Sequence, residues 1–127
     1  MEKEEPLVSV IIVNLNGRKY LENCLRSLMN ITYHRIEILL IDNNSDDDSI
    51  EFVKKNYPSI IILKLDKNYG FAYPNNLAVR NTKGEFVLFL NNDTTVHPES
   101  ITELVKVMTK DPQIGICQSL LQNQLER

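Results

Sequence analysis

Four polar segments recur along the chain, and each follows a short apolar run. They are residues 14–17 (Asn-Leu-Asn-Gly), 42–45 (Asp-Asn-Asn-Ser), 66–70 (Asp-Lys-Asn-Tyr-Gly) and 91–94 (Asn-Asn-Asp-Thr). Asn and Asp tolerate turn geometry and cap helices, so any one segment alone has an ordinary structural explanation. Together they offer groups that can hydrogen-bond a base and a ribose, without the cationic or glycine-rich equipment of a phosphate cradle. A bound phosphate would therefore need a divalent cation held by a carboxylate.

The motifs of several other ligand-binding and catalytic classes are absent. The sequence contains no G-x-G-x-x-G after the first apolar run, no G-x-x-x-x-G-K-[ST], no G-x-S-x-G and no His/Cys set with metal-ligand spacing. These absences argue against dinucleotide oxidoreductases, P-loop enzymes, serine hydrolases and zinc sites. The net charge of -3 gives no basic excess to neutralise a phosphate backbone, so nucleic acid is not an expected partner.

The runs between the polar segments predict the elements that position them. Continuous apolar runs predict buried strands, and apolar residues at i, i+3, i+4 and i+7 predict amphipathic helices. The predicted strands are 7–13, 36–41, 60–65, 86–90 and 114–117. The predicted helices contain the stripe from Leu21 to Leu28, residues 47–56, the segment from Pro74 to about Arg80, and the stripe from Ile101 to Met108.

This alternation predicts an α/β, doubly wound fold, with a mainly parallel sheet of about five strands and helices on both faces. In such a sheet, ligands bind beyond the carboxyl ends of the strands. The four polar segments follow the first four predicted strands, so we expect them to converge at one edge. The sequence therefore predicts one ligand site there.

Size and composition fit one cytoplasmic domain. The chain has 127 residues, of which 43% are hydrophobic and 24% charged, enough to build a core. No apolar run approaches the roughly 18 residues needed to span a bilayer, and no signal-peptide pattern opens the chain. Cys24 and Cys117 lie far apart at apolar positions and are predicted to be free buried thiols, as expected in a reducing compartment.

The motifs that carry the chemistry also match a known pattern. They are residues 8–16 (VSVIIVNLN), 41–45 (IDNNS), 68–72 (NYGFA) and 90–94 (LNNDT). In this order and spacing they resemble family 2 glycosyltransferases of the GT-A fold, especially the branch similar to rhamnosyltransferases. The resemblance covers residues 7–119, which we interpret as the nucleotide-sugar-binding subdomain. Residues 1–6 are predicted to be a disordered tail and residues 120–127 a C-terminal tail.

Carried over residue by residue, the resemblance implies a donor site at the four strand ends. The first two segments would lie against the base, with Asp42 or Asn43 pairing with a pyrimidine edge, and the last would reach the ribose. Asp93, the last residue of the Asn91-Asn92-Asp93 motif, would bind Mg²⁺ or Mn²⁺ bridging the two phosphates. The implied nucleotide-binding residues are Val13, Asn14, Asn16, Asp42, Asn43, Asn68, Gly70, Asn75, Asn91 and Asn92.

The leading interpretation is an inverting glycosyltransferase that uses a UDP- or dTDP-sugar and a glycan or lipid-linked acceptor. Inversion requires a general base on the acceptor hydroxyl. In the family this base lies beyond the metal motif, so we expect it beyond Arg127 and interpret the chain as a donor-binding fragment that is inactive alone. Apolar surface left uncovered by a missing half would favour self-association, and membrane association of the full-length protein stays open.

Two other interpretations remain. In the first, the chain is a non-catalytic nucleotide-binding or interaction module of the same fold, whose Asn-rich segments only shape turns. In the second, it is a nucleotidyltransferase, although the first turn of that class should be rich in glycine and basic residues. Residues 14–17 are not. Metal-dependent nucleotide binding separates the leading interpretation from the non-catalytic one.

Overall fold

The structure, a computed structural model, describes residues 5–117. Four parallel strands form one sheet in the order β3-β2-β1-β4, and four helices alternate with them along the chain. The strands are β1 (Val8–Asn14), β2 (Ile36–Asp42), β3 (Ile61–Lys64) and β4 (Phe86–Asn91). The helices are α1 (Arg18–Met29), α2 (Ser49–Asn56), α3 (Ala72–Arg80) and α4 (Ser100–Lys110).

The two central strands, β1 and β2, are largely buried on both faces, as their continuous apolar runs predict, whereas the edge strands β3 and β4 are only partly buried, contrary to that expectation. On one face, α1, α2 and α4 pack against alternate residues of β1 and β2, with Leu25, Val53 and Ile101 in this core. On the other face, Ala78 of α3 packs with Ile11 of β1 and its neighbours in β2. The predicted α/β class, with a parallel sheet between helices, is confirmed.

Three strands, β1, β2 and β4, extend one residue farther than the apolar runs indicate, whereas β3 is shorter than predicted at both ends. In the parallel register Asn14 lies beside Asp42, and Val13 lies beside Asn91. Strand pairing continues into the polar segments because the backbone pairs whatever the side chain is. The first residue of three polar segments therefore belongs to the sheet and not to the turn that follows it, which decides the orientation of its side chain.

The prediction of a fifth strand at 114–117 is wrong. These residues form no regular element, and the Ile114 amide donates instead to the Asp111 carbonyl in a turn. Ile116 is 91% exposed, so its apolar character reflects no burial in a sheet. A strand needs a pairing partner, and within residues 5–117 this segment has none. The sheet therefore has four strands in the described part of the chain.

The predicted tails lie largely outside the described residues, as does the proposed domain boundary at 119. Within the described part, the Tyr33 hydroxyl donates to the Pro6 carbonyl, which attaches the start of the chain to the domain. Cys24 and Cys117 are both free, as predicted; Cys24 is buried, and Cys117 is partly exposed. No helix in residues 5–117 is long and apolar enough to cross a bilayer.

Candidate functional site

A cleft of about 480 Å³ opens beyond the carboxyl ends of the strands. It brings together eight of the eleven residues predicted from the sequence, and it leaves out Asn14, Asn16 and Asp42. The eight are Val13, Asn43, Asn68, Gly70, Asn75, Asn91, Asn92 and Asp93. The cleft crosses the sheet from the end of β4, where Asp93 lies, to the loop after β3, where Asn68 lies.

Asn14 and Asp42 lie beneath the cleft and are fully buried. The Asn14 amide nitrogen donates to Asp42 Oδ1 at 3.0 Å, and Asp42 Oδ2 accepts the Ser45 amide at 2.8 Å. Ser45 Oγ also donates to Asp42 Oδ1 at 2.7 Å. On its other side, Asn14 Oδ1 accepts the side-chain amide of Asn92 at 2.9 Å. The buried carboxylate thus holds Asn14, which in turn holds the loop after β4.

Asn16 is exposed and adopts a left-handed backbone conformation with φ 51°. Its amide oxygen accepts the backbone amide of Asp46 at 2.7 Å, and its own backbone amide donates to Ser45 Oγ at 2.9 Å. Asparagine tolerates positive φ better than most residues, which explains its presence in this turn. Its side chain therefore joins the loop after β1 to the loop after β2.

Asn43 holds the loop at the other end of the cleft. Its Oδ1 accepts the Tyr69 backbone amide at 3.0 Å, and its Nδ2 donates to the Gly70 carbonyl at 2.7 Å. Gly70 has φ +79°, a conformation that side-chain-bearing residues rarely adopt. Both ends of the Asn43 amide are therefore engaged by protein backbone. This loop also carries Asn68, whose Oδ1 accepts the Gly70 amide at 2.9 Å.

Two amide atoms at this end of the cleft remain available to a ligand. Asn75 uses its Nδ2 to donate to the Phe71 carbonyl at 3.0 Å, while its Oδ1 has no partner within residues 5–117. The Nδ2 of Asn68 likewise has no partner in the described part of the chain. One donor and one acceptor thus line the cleft without a protein partner. They could hydrogen-bond the edge of a base.

The cleft also has an apolar lining that the sequence analysis missed. Phe71 is 69% exposed and Phe89 is 55% exposed, and both line the cleft together with Leu15 and Ile11. The alternation in β4, which places Phe89 and Val87 on the same face, could have indicated Phe89. Phe71 carried no such signal because the turn at Gly70 determines its orientation.

An aromatic pair lies beside this end of the cleft. The Tyr69 and Tyr73 rings stack with centroids 4.5 Å apart. The Tyr69 hydroxyl donates to Asp66 Oδ1 at 2.6 Å, and this hydrogen bond raises the pKa of Tyr69 above its ordinary value. The pair and its hydrogen bond hold the loop after β3 in place.

Asp93 lies in the loop after β4, and its carboxylate is exposed. Among residues 5–117 it forms no hydrogen bond or ion pair with any side chain or backbone group. Its charge nevertheless acts on the buried Cys24 thiol beneath the loop. Burial first, and the Asp93 charge second, raise the pKa of Cys24 to about 12.

The residues present fit a metal only in combination with a ligand. No group of three or more His, Cys, Asp or Glu side chains that could hold an ion occurs in the described residues. The described lining contains one carboxylate, that of Asp93, and neither lysine nor arginine. A divalent cation there would need further oxygen ligands, such as phosphate oxygens, to complete its coordination. We therefore predict that the cleft has low affinity for a divalent cation in the absence of nucleotide.

The sequence matches the family described as Glycosyl transferase family 2 over residues 9–127, which is nearly the whole chain. This chain belongs to glycosyl transferase family 2. The family 2 chain is 30% identical over 105 residues to a glycosyltransferase of Rickettsia prowazekii, covering 83% of this chain and 33% of that protein. It is 30% identical over 112 residues to the chondroitin synthase of Escherichia coli, covering 86% of this chain and 16% of that protein.

Solved structures agree on the GT-A architecture of this family 2 chain. S. aureus TarS 1–349 in complex with UDP-GlcNAc superposes with a TM-score of 0.77 at 24% identity, covering 92% of this chain and 38% of TarS 1–349. The mannosyltransferase PcManGT from Pyrobaculum calidifontis, in complex with GDP-Man and Mn²⁺, superposes with a TM-score of 0.79 at 23% identity. That match covers 88% of this chain and 34% of PcManGT.

The chain spans about a third of the length of the Rickettsia prowazekii relative. The family and the fold of this chain are therefore established. The activity of the whole protein, with its donor and its acceptor, is a matter for proposal.

Proposed function

We propose that this chain binds a nucleoside diphosphate sugar, UDP- or dTDP-linked, through a divalent cation on Asp93. The observation that carries the proposal is a carboxylate without a partner in residues 5–117, at one end of a cleft whose described lining has no cationic side chain. A diphosphate entering this cleft would meet like charge, so it needs Mg²⁺ or Mn²⁺ to offset it. The complex of PcManGT with GDP-Man and Mn²⁺ supports the choice of a divalent ion.

The diphosphate would lie at the end of β4, and the base would lie toward the loop after β3. We propose that Asn68 and Asn75 hydrogen-bond the base edge, because each has an amide atom without a partner in the described part of the chain. Asn43 would instead shape the loop that carries them, since both ends of its amide are engaged. Asn14 and Asp42, named as base contacts from the resemblance, would support the loop after β4.

We further propose that the donor sugar is transferred with inversion to a hydroxyl of a glycan or lipid-linked acceptor. The chondroitin synthase relative supports a glycan product. Asp93 would hold the cation, which would offset the negative charge of the nucleoside diphosphate leaving group. The described lining holds no carboxylate besides Asp93, and Asp93 is assigned to the cation, so a general base for the acceptor must come from elsewhere. These residues alone are therefore proposed to bind donor without transferring its sugar.

Calorimetric titration with UDP and dTDP, with and without Mn²⁺, tests the proposal. Wild-type protein should bind at least one of them more tightly with Mn²⁺, and Asp93→Ala should abolish that enhancement. Asp46→Ala is the matched control, because it removes an exposed carboxylate that does not line the cleft. It should keep the enhancement.

Binding that is equally tight with and without Mn²⁺ would contradict the proposal. It would favour the alternative function, a non-catalytic nucleotide-binding module of the same fold. The cytoplasmic location and the self-association expected from the sequence stay predictions.

A further inference from the structure

The loop that carries Asp93 is attached to α1 at both of its ends. At the first end, the Cys24 thiol donates to the Asn91 carbonyl at 3.8 Å. At the second end, the Val96 amide donates to Ser27 Oγ at 2.9 Å. Cys24 and Ser27 are three positions apart on the helix, so they share one face. Residues 92–95, with Asp93 among them, lie between these two attachments.

The Ser27 hydroxyl is the stronger of the two attachments. It accepts the Val96 amide and at the same time donates to the Cys24 carbonyl at 2.7 Å. A hydroxyl can donate and accept together, and the bond that it donates fixes the direction of the lone pairs that face Val96. The thiol bond is long, and sulfur is a weak donor. Ser27 therefore holds the loop at Val96, where it rejoins the body of the domain.

No contact of the Asp93 side chain fixes the position of its carboxylate within the described residues. Its carboxylate forms no hydrogen bond or ion pair with residues 5–117, so its place depends on the attachments of the loop backbone. The attachments of this loop include the Asn92 side chain, which donates to Asn14 at 2.9 Å, and the Val96 amide, which donates to Ser27 at 2.9 Å. Ser27 is on α1, outside the lining of the cleft, and so acts only through the loop.

We propose that Ser27 is a positioning residue for the metal-binding carboxylate of Asp93, acting through the backbone amide of Val96. The inference rests on the proposed function, because it assigns a role in donor binding to a residue that touches neither donor nor cation. Without the hydroxyl, the Val96 amide loses its partner and the loop gains freedom. Cation and diphosphate must then order the loop as they bind, which lowers their affinity.

The test compares Ser27→Ala, which removes the hydroxyl, with Ser27→Thr, which keeps it. The matched control is Thr109→Ala, because the Thr109 hydroxyl also donates to its own helix, at Val105, but holds no loop. UDP affinity is measured for each variant with and without Mn²⁺. Hydrogen exchange of the Val96 amide, followed by NMR without ligand, reports the attachment itself.

Ser27→Ala should weaken UDP binding in the presence of Mn²⁺ about tenfold, which corresponds to about 1.4 kcal/mol. Its affinity without Mn²⁺ should not change, and its Val96 amide should exchange faster. Ser27→Thr and Thr109→Ala should behave as wild type. A Ser27→Ala variant that keeps the full Mn²⁺ enhancement, or that loses affinity equally with and without Mn²⁺, overturns the positioning role alone. A wild-type protein with no Mn²⁺ enhancement overturns the proposed function and this role with it.

Discussion

The substitution Gly17→Ala would place a methyl group against the hydrogen bond that joins Asn14 to Asn92. A Cβ at position 17 would overlap Asn92 Nδ2 and Asn14 Oδ1, and it would lie 3.1 Å from Asn92 Cγ. Non-bonded heavy atoms are in favourable contact at about 3.5 Å or more, so the Asn92 side chain must move away. The 2.9 Å bond to Asn14 cannot survive that movement.

The cost follows from the burial of Asn14, which has no exposed surface. Its Oδ1 would lose the Asn92 amide in a place that water does not reach. An unsatisfied buried acceptor costs about 1–3 kcal/mol. Taking the middle of that range, about 2 kcal/mol, we expect Tm to fall by roughly 8 °C for a domain of this size. Because Asn92 precedes Asp93, Mn²⁺-dependent UDP binding should weaken as well.

Thermal unfolding followed by circular dichroism measures the change, with Gly115→Ala as the control. A Cβ at position 115 meets no atom within 4 Å, so the control variant should keep the wild-type Tm. A Gly17→Ala variant that unfolds within about 1 °C of the control would refute the argument. It would show that the Asn14–Asn92 bond is not constrained by the glycine.

Two further predictions concern groups with shifted pKa values. Burial and the Asp93 charge raise the pKa of Cys24 to about 12. At pH 8 a thiol reagent should therefore label Cys117 in the folded protein, and it should label Cys24 only in denaturant. Rapid labelling of both cysteines in the folded protein would contradict this prediction. For Asp47, burial raises the pKa, but hydrogen bonds from Ser49 and from the Arg18 amide outweigh it and leave the pKa below its ordinary value. A carboxyl group whose pKa is lower in the folded state stabilises the fold at any pH above its unfolded-state pKa of about 3.9. In denaturant titrations, the free energy of unfolding of wild type should exceed that of Asp47→Asn by a margin that shrinks as pH falls through the folded-state pKa. A margin that does not change with pH would contradict the prediction.

The elements were predictable because their signals are local. The stripe from Leu21 to Leu28 is buried on α1 as its spacing predicts, and Pro74 lies in the first turn of α3, where a missing amide costs nothing. The prediction of a strand at 114–117 was wrong because a short apolar segment forms a strand only if another strand pairs with it. The local sequence pattern does not show whether such a partner strand is present.

The sequence predicted the location of the candidate site better than it predicted the contacts of the individual side chains. Parallel strands bring their carboxyl ends to one edge, so eight predicted residues line one cleft. Asn14 and Asp42 turn inward because they are the last paired residues of their strands, and the alternation of side chains decides their direction. Ser27 and Cys24 were missed because their partners are backbone groups nearly 70 residues away along the chain.

The amide side chains that line the cleft present hydrogen-bonding groups that do not depend on pH. In the described lining, Asp93 is the one charged side chain, and the polar side chains around it are asparagines. Asparagine presents the same donors and acceptors at pH 6 and at pH 9. Hydrogen bonds from these amides to an uncharged ligand group would therefore keep the same pattern across that range.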